Sequence, residues 1–139
     1  RNAQAYAARL EALHAAYQRG LAACERRVFI ASHAAFGYLA RDYGLRQITA
    51  AGLSPEQEPT PRELAALAEE ARELGVQYVF SERLVSPRLA QTLASEIGAG
   101  VLVLDPLEGL TPEQVRAGED YFTIMRQNLE NLRTALACR

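Results

Sequence analysis

The strongest constraint on this chain is an alternation of short apolar runs with helical patterns. The runs cover residues 28–31, 47–50, 76–81 and 101–104. Runs this short and this apolar, joined through helices and not through hairpin turns, pair in parallel and are covered on both faces. The expected class is therefore α/β, a four-stranded mainly parallel sheet flanked by helices. In such sheets ligands bind beyond the carboxyl ends of the strands. Three polar residues follow the runs at those ends: His33, Glu82 and Asp105.

The helical segments carry their own signals. Tyr6, Leu10, Leu13, Tyr17 and Leu21 recur at three- and four-residue steps and form one apolar stripe, with Gly20 loosening the last turn. A second helix is expected over 34–43, capped by Ser32 and ended by Gly44. Residues 52–59 are a loop rich in Gly, Pro and Glu. Thr60-Pro61-Arg62-Glu63 combines a cap, a proline in the first turn and the glutamate of a capping box; Gly75 stops that helix. Ser86-Pro87 opens a helix closed by Gly98, and Thr111-Pro112-Glu113-Gln114 opens a short one. From about Glu119 the pattern is helical to the end, with Phe122, Met125, Leu129, Leu132 and Leu136 on one face.

Composition excludes several function classes. With 139 residues the chain suits one domain with a real core, and 49% apolar residues make it globular. The net charge is -2, and no basic patch is interleaved with aromatics, so nucleic acid is not an expected partner. No apolar run reaches the length of a membrane span. The chain starts at Arg1 inside a helical pattern, and its one methionine is Met125, so it reads as a fragment. Phosphate-loop, dinucleotide and nucleophile-elbow motifs are absent, and neither cysteine has zinc-finger spacing.

The strand-end residues admit two readings each. His33 at a helix start would stay neutral beside the positive helix end, which is the metal-binding form, or it hydrogen-bonds locally. Asp105, before Pro106, either ligates a metal beside an imidazole or caps its own turn. Glu82 either orients His33 from behind or pairs with Arg83 or Arg88. His14, beside Glu11 on the first helix, reads as solvated. Cys24 and Cys138 are either two buried thiols or one disulfide joining the end of the first helix to the end of the last.

The segment from Ser32-His33-Ala34-Ala35-Phe36-Gly37-Tyr38 to Tyr43-Gly44-Leu45 resembles the zinc- and manganese-specific solute-binding proteins of ABC importers, the ZnuA- and TroA-like family. Further segments resemble the family in order. They are Gly52-Leu53-Ser54-Pro55 with Glu58-Pro59-Thr60-Pro61, then Val79-Phe80-Ser81-Glu82, Leu104-Asp105-Pro106-Leu107, and Asp120-Tyr121 through Met125 to Asn128-Leu129. Each piece is weak alone; five in order over nearly the whole chain are specific.

The resemblance implies one lobe of a two-lobed protein that does no covalent chemistry. Residues 1–22 would be the second part of the long helix between lobes, and 23–139 the carboxy-terminal α/β metal-binding lobe. His33 and Asp105 would be this lobe's metal ligands, with Glu82 behind them. Histidine at position 33 points to zinc, with manganese as the alternative. Implied partners are the importer's membrane permease and the amino-terminal lobe, in a monomer that is periplasmic or anchored to the outer cell surface as a lipoprotein. That oxidising compartment favours the Cys24–Cys138 disulfide. The competing expectations are a metal-binding surface adhesin and, in another class, a small α/β enzyme using His33 as acid–base.

Overall fold

A computed structural model of the chain describes residues 2–31, 36–49, 60–82, 88–106 and 111–139. The element order is α1 (Asn2–Gly20), β1 (Val28–Ala31), α2 (Gly37–Asp42), β2 (Arg46–Thr49), α3 (Pro61–Glu73), β3 (Tyr78–Ser81), α4 (Arg88–Ile97), β4 (Gly100–Val103), α5 (Pro112–Arg116) and α6 (Tyr121–Leu136). The four strands form one sheet in the order β2-β1-β3-β4, and every pairing is parallel.

Strand alternation divides the interior into two clusters. Phe29 and Ala31 of β1 and Phe80 of β3 face Leu13, Tyr17 and Leu21 at α1 and Phe122, Leu129, Leu132 and Leu136 of α6. Ile30 and Val79, one residue out of step, face Ala68 and Ala71 of α3 and Ala90, Leu93 and Ala94 of α4. This is the period of two that a strand buried on both faces requires. The first face is aromatic. Phe29 meets Phe80 edge-on at 5.9 Å and Phe36 at 6.5 Å between ring centres. Such pairs add about 0.5–1.5 kcal/mol each beyond area burial.

The helix ends follow local chemistry. At α3, Thr60 Oγ1 accepts from the Glu63 amide at 3.1 Å while the Glu63 carboxylate accepts from the Thr60 amide at 2.9 Å. At its other end Gly75 takes φ 71°, so the Val76 amide reaches Ala71 O at 3.1 Å and the Gly75 amide Arg72 O at 3.2 Å. That closure occupies Val76, and β3 therefore starts at Tyr78, two residues later than its apolar run suggests. The last helix ends in the same conformation without a glycine: Ala137 has φ 54°, and the Cys138 amide reaches Arg133 O at 2.9 Å.

Two expectations need correction. At Gly20, where α1 ends, the expectation omits a contact: a Cβ there would stand 3.1 Å from Leu129 Cδ1, so the lack of a side chain permits close approach to α6. The second helix starts at Gly37, not at residue 34, because Phe36 is non-helical (φ -122°, ψ 22°) and turns into the core against Phe29. The Ser32 cap, the 52–59 loop, the Ser86-Pro87 helix start and the Arg83 pairing lie outside the described residues.

The segment after α1 is joined to the segment after α6. Cys24 and Cys138 form a disulfide across 114 residues of sequence. Backbone bonds from Glu25 to Ala137 O, Arg26 to Leu136 O and Arg139 to Ala23 O make a short antiparallel bridge around it. Of the two cysteine readings, the disulfide is the one found. His14 is exposed as expected, although its Nδ1 lies 2.8 Å from the Tyr43 hydroxyl.

Candidate metal centre

Sheet order decides where a ligand can sit. From β1 the chain passes through α2 to β2 at one edge, while from β3 it passes through α4 to β4 at the other. β1 and β3 are neighbours whose chains go on to strands at opposite edges, the kind of switch point beyond which open parallel sheets bind ligands. Glu82 is the first residue after β3, and its side chain is buried, 5% exposed. The register sets Ala31 beside Phe80 and Ser81 beside Val103, so the three strands finish nearly level. Asp105 lies two residues past β4 at that same edge and is also 5% exposed.

Asp105 is held from three directions. The Leu104 amide donates to Ser81 O at 2.9 Å and carries the β3–β4 pairing past the end of β4. Beyond it the Asp105 backbone meets a side chain: its N–H donates to Asn128 Oδ1 at 2.9 Å, and Asn128 Nδ2 donates back to Asp105 O at 2.8 Å. Asn128 lies on the buried face of α6 and is 2% exposed. The Asp105 carboxylate is met by Gln114, whose Nε2 donates to Oδ2 at 3.1 Å. Gln114 is itself fixed by the capping box of α5. Its Oε1 accepts from the Thr111 amide at 2.8 Å, and its own amide donates to Thr111 Oγ1 at 3.1 Å. Pro106 adds a local restriction, since the residue before a proline is pushed to extended backbone.

Of the three residues singled out in the sequence, two are therefore placed. Glu82 and Asp105 share the carboxyl edge of the sheet, both buried. His33 lies outside the described residues; the last described residue before it is Ala31, at the end of β1. α2 begins at Gly37, and the expected helix start at His33 likewise lies outside the described residues. Among the described residues no group of three or more His, Cys, Asp or Glu side chains is gathered to hold a metal ion. Asp105, a buried carboxylate held by an amide, is of a kind that suits zinc, and Glu82 shares its edge of the sheet.

Asn128 and Gln114 were not assigned roles from the sequence. Both had a signal. Asn128 sits between Met125 and Leu132 on an otherwise apolar stripe, and a polar residue there must find a buried partner. Gln114 was visible only as the fourth residue of a helix start. Nothing local says that its amide has a second bond to make.

Comparison with known proteins agrees with the geometry. The family model described as zinc-uptake complex component A, periplasmic (ZnuA), matches residues 1–135. The chain is 44% identical over 132 residues to the zinc-binding protein AdcA of Streptococcus pyogenes serotype M6, covering 95% of this chain and 26% of that protein. It is 45% identical over 136 residues to the high-affinity zinc uptake system protein ZnuA of Bacillus subtilis, covering 98% of this chain and 43% of that protein. The solved Zn(II)-bound ZnuA-like domain of Streptococcus pneumoniae AdcA superposes with a TM-score of 0.80 at 43% identity. That match covers 97% of this chain and 51% of the solved one, so this chain spans about half the length of that domain. With nearly its whole length matched by the family model, the chain belongs to the ZnuA family of zinc-uptake components.

Proposed function

We propose that this chain is the carboxy-terminal lobe of a two-lobed, extracytoplasmic zinc-binding protein that delivers its cargo to the membrane permease of an ABC importer. The observation that carries this reading is Asp105, a buried carboxylate at the carboxyl edge of the sheet with its backbone and side chain both held by amides. His33 and Asp105 are this lobe's zinc ligands in this reading, and Glu82 lies behind them. The protein binds and releases its cargo without covalent chemistry. Residues 1–22 carry the second part of the helix that joins the lobes; the other ligands come from the amino-terminal lobe. Support comes from family membership, from relatives named for zinc binding and zinc uptake, and from a lipoprotein name borne by a streptococcal relative at 44% identity.

Helix α1 suits such a linker. Leu13, Tyr17 and Leu21 are buried against the lobe, whereas Tyr6 and Leu10 remain 43% and 41% exposed. Its lower half is anchored by the Tyr17 hydroxyl, which donates to Met125 O of α6. Burial pushes the Tyr17 phenol well above its usual range, so it stays a protonated donor at every physiological pH.

The test is zinc titration of the full-length protein by calorimetry. His33→Ala and Asp105→Ala should each weaken binding by tenfold or more. An unchanged affinity in His33→Ala would remove that residue from the ligand set, and zinc failing to bind the unaltered protein would overturn the function.

A further inference from the structure

We infer that Asn128 and Gln114 are positioning residues for zinc: together they form an amide cradle that presets Asp105 for the metal. The inference rests on the reading of Asp105 as a ligand and adds two residues to the site that do not touch the metal.

β4 is an edge strand, so residues at its free side have no further strand to bond. Helix α6 supplies side-chain amides in place of one. Asn131 Nδ2 donates to Val103 O at 2.7 Å, and Asn128, three residues earlier on α6, makes its reciprocal pair with Asp105. Residues 103 and 105 are two apart, the period at which a strand turns its backbone to the same edge. The two asparagines thus continue the sheet edge past the point where pairing stops. They differ in what they hold: Asn131 fixes a residue within the strand, and Asn128 fixes the Asp105 backbone itself.

Gln114 completes the cradle on the side-chain end. An amide side chain has one acceptor and a donor group, and Gln114 uses both, the oxygen on the Thr111 amide and the nitrogen on Asp105 Oδ2. Its position is set by the capping box and its direction by burial at 3% exposure. A carboxylate whose backbone and oxygen are both tethered has few rotamers to lose when a metal binds. Outer partners that orient ligands in this way typically contribute about 10–100-fold to metal affinity.

The experiment compares matched substitutions in the full-length protein, with zinc affinity measured by chelator competition and melting temperature measured alongside. Gln114→Met and Asn128→Ala should weaken zinc by tenfold or more. Asn131→Ala removes a similar bond from the same helix; it should lower the melting temperature and keep zinc affinity within about twofold of the unaltered protein. The visible spectrum of bound cobalt(II) should shift in Gln114→Met and Asn128→Ala and stay put in Asn131→Ala, which a role in stability alone would not produce. Gln114 lies on the five-residue α5 at the margin of the lobe and carries the test if Asn128→Ala does not fold. Unaltered affinity in Gln114→Met, or in a folded Asn128→Ala, overturns the cradle. Asp105→Ala separates the two levels. If it keeps full affinity, the ligand reading fails and the cradle falls with it; if it loses affinity while Gln114→Met does not, only the positioning roles are wrong.

Discussion

Of the three helices that open with a capping box among the described residues, α3 and α5 build it from the same Thr-Pro start and put it to different use. At α3 the box of Thr60 and Glu63 lies on the surface, and its glutamate serves only the helix it opens. At α5 the box of Thr111 and Gln114 has matching geometry, but its third helical residue is buried and reaches Asp105. The bonds that start the helix are alike to within about a tenth of an ångström. What differs is the neighbour: water in one case, the carboxyl end of β4 in the other. A local motif therefore tells how a helix begins and leaves open whether that beginning belongs to a site.

The comparison can be broken most forcefully at the disulfide between the segments that follow α1 and α6. Reducing the Cys24–Cys138 bond opens a long loop and should lower stability by about 3–5 kcal/mol. It should loosen the end of α6 before α3. Hydrogen exchange under reducing conditions checks this: amides around α6 should lose protection while those of α3 keep theirs. Equal loss in both helices would mean that the bond does not act through α6.

The next effect separates the boxes themselves. Glu63→Met and Gln114→Met remove the same position of the same motif. Each should cost the helix start a similar amount, but only Gln114→Met should weaken zinc binding, by tenfold or more. Parallel affinity measurements decide it; equal zinc affinity in the two variants would erase the distinction.

A smaller effect concerns the caps. Thr60→Ala and Thr111→Ala should each destabilise by about 1 kcal/mol, read from denaturant midpoints. The fourth prediction is a pH dependence that separates the α3 box from the α5 box. The Thr60 backbone amide holds the Glu63 carboxyl below the usual carboxylate range, with the Thr60 side chain adding to the effect. A carboxylate whose pKa is lower folded than unfolded contributes stability above its unfolded value and loses it as pH falls through the folded one. Below about pH 5 the unaltered protein should therefore lose slightly more stability than Glu63→Gln, as melting scans can show. Gln114 has no such dependence because an amide does not titrate.

Much of the lobe was legible in the sequence. The four apolar runs became four parallel strands because short apolar segments joined through helices pair side by side; β1 and β3 in the middle are largely buried, while β2 and β4 at the edges keep exposed residues. The Thr60 and Thr111 starts were legible because capping involves residues only three apart. Element limits slipped where a tertiary contact intervened: Phe36 is drawn onto Phe29 and delays α2, and the closure at Gly75 delays β3. Asp105 and Glu82 were marked by their place after apolar runs, but their shared burial came from strand register. The supporting amides were not recognised, because Asn128 lies 23 residues from Asp105 and Gln114 lies nine.

The sequence by itself determined the class of fold and, through resemblance, the family. Those properties rest on periodicity, on caps and on short motifs, all of which act over a few residues. Tertiary structure decided which of two cysteine readings holds, why Gly20 is a glycine and how Asp105 is held. Each depends on helix α6 meeting a distant part of the chain: the end of α1, the Cys24 bridge and the edge of β4. The physical reason is range. Capping and amphipathic patterns are settled between neighbours in sequence, whereas a buried polar group takes its partner from whatever packing brings beside it.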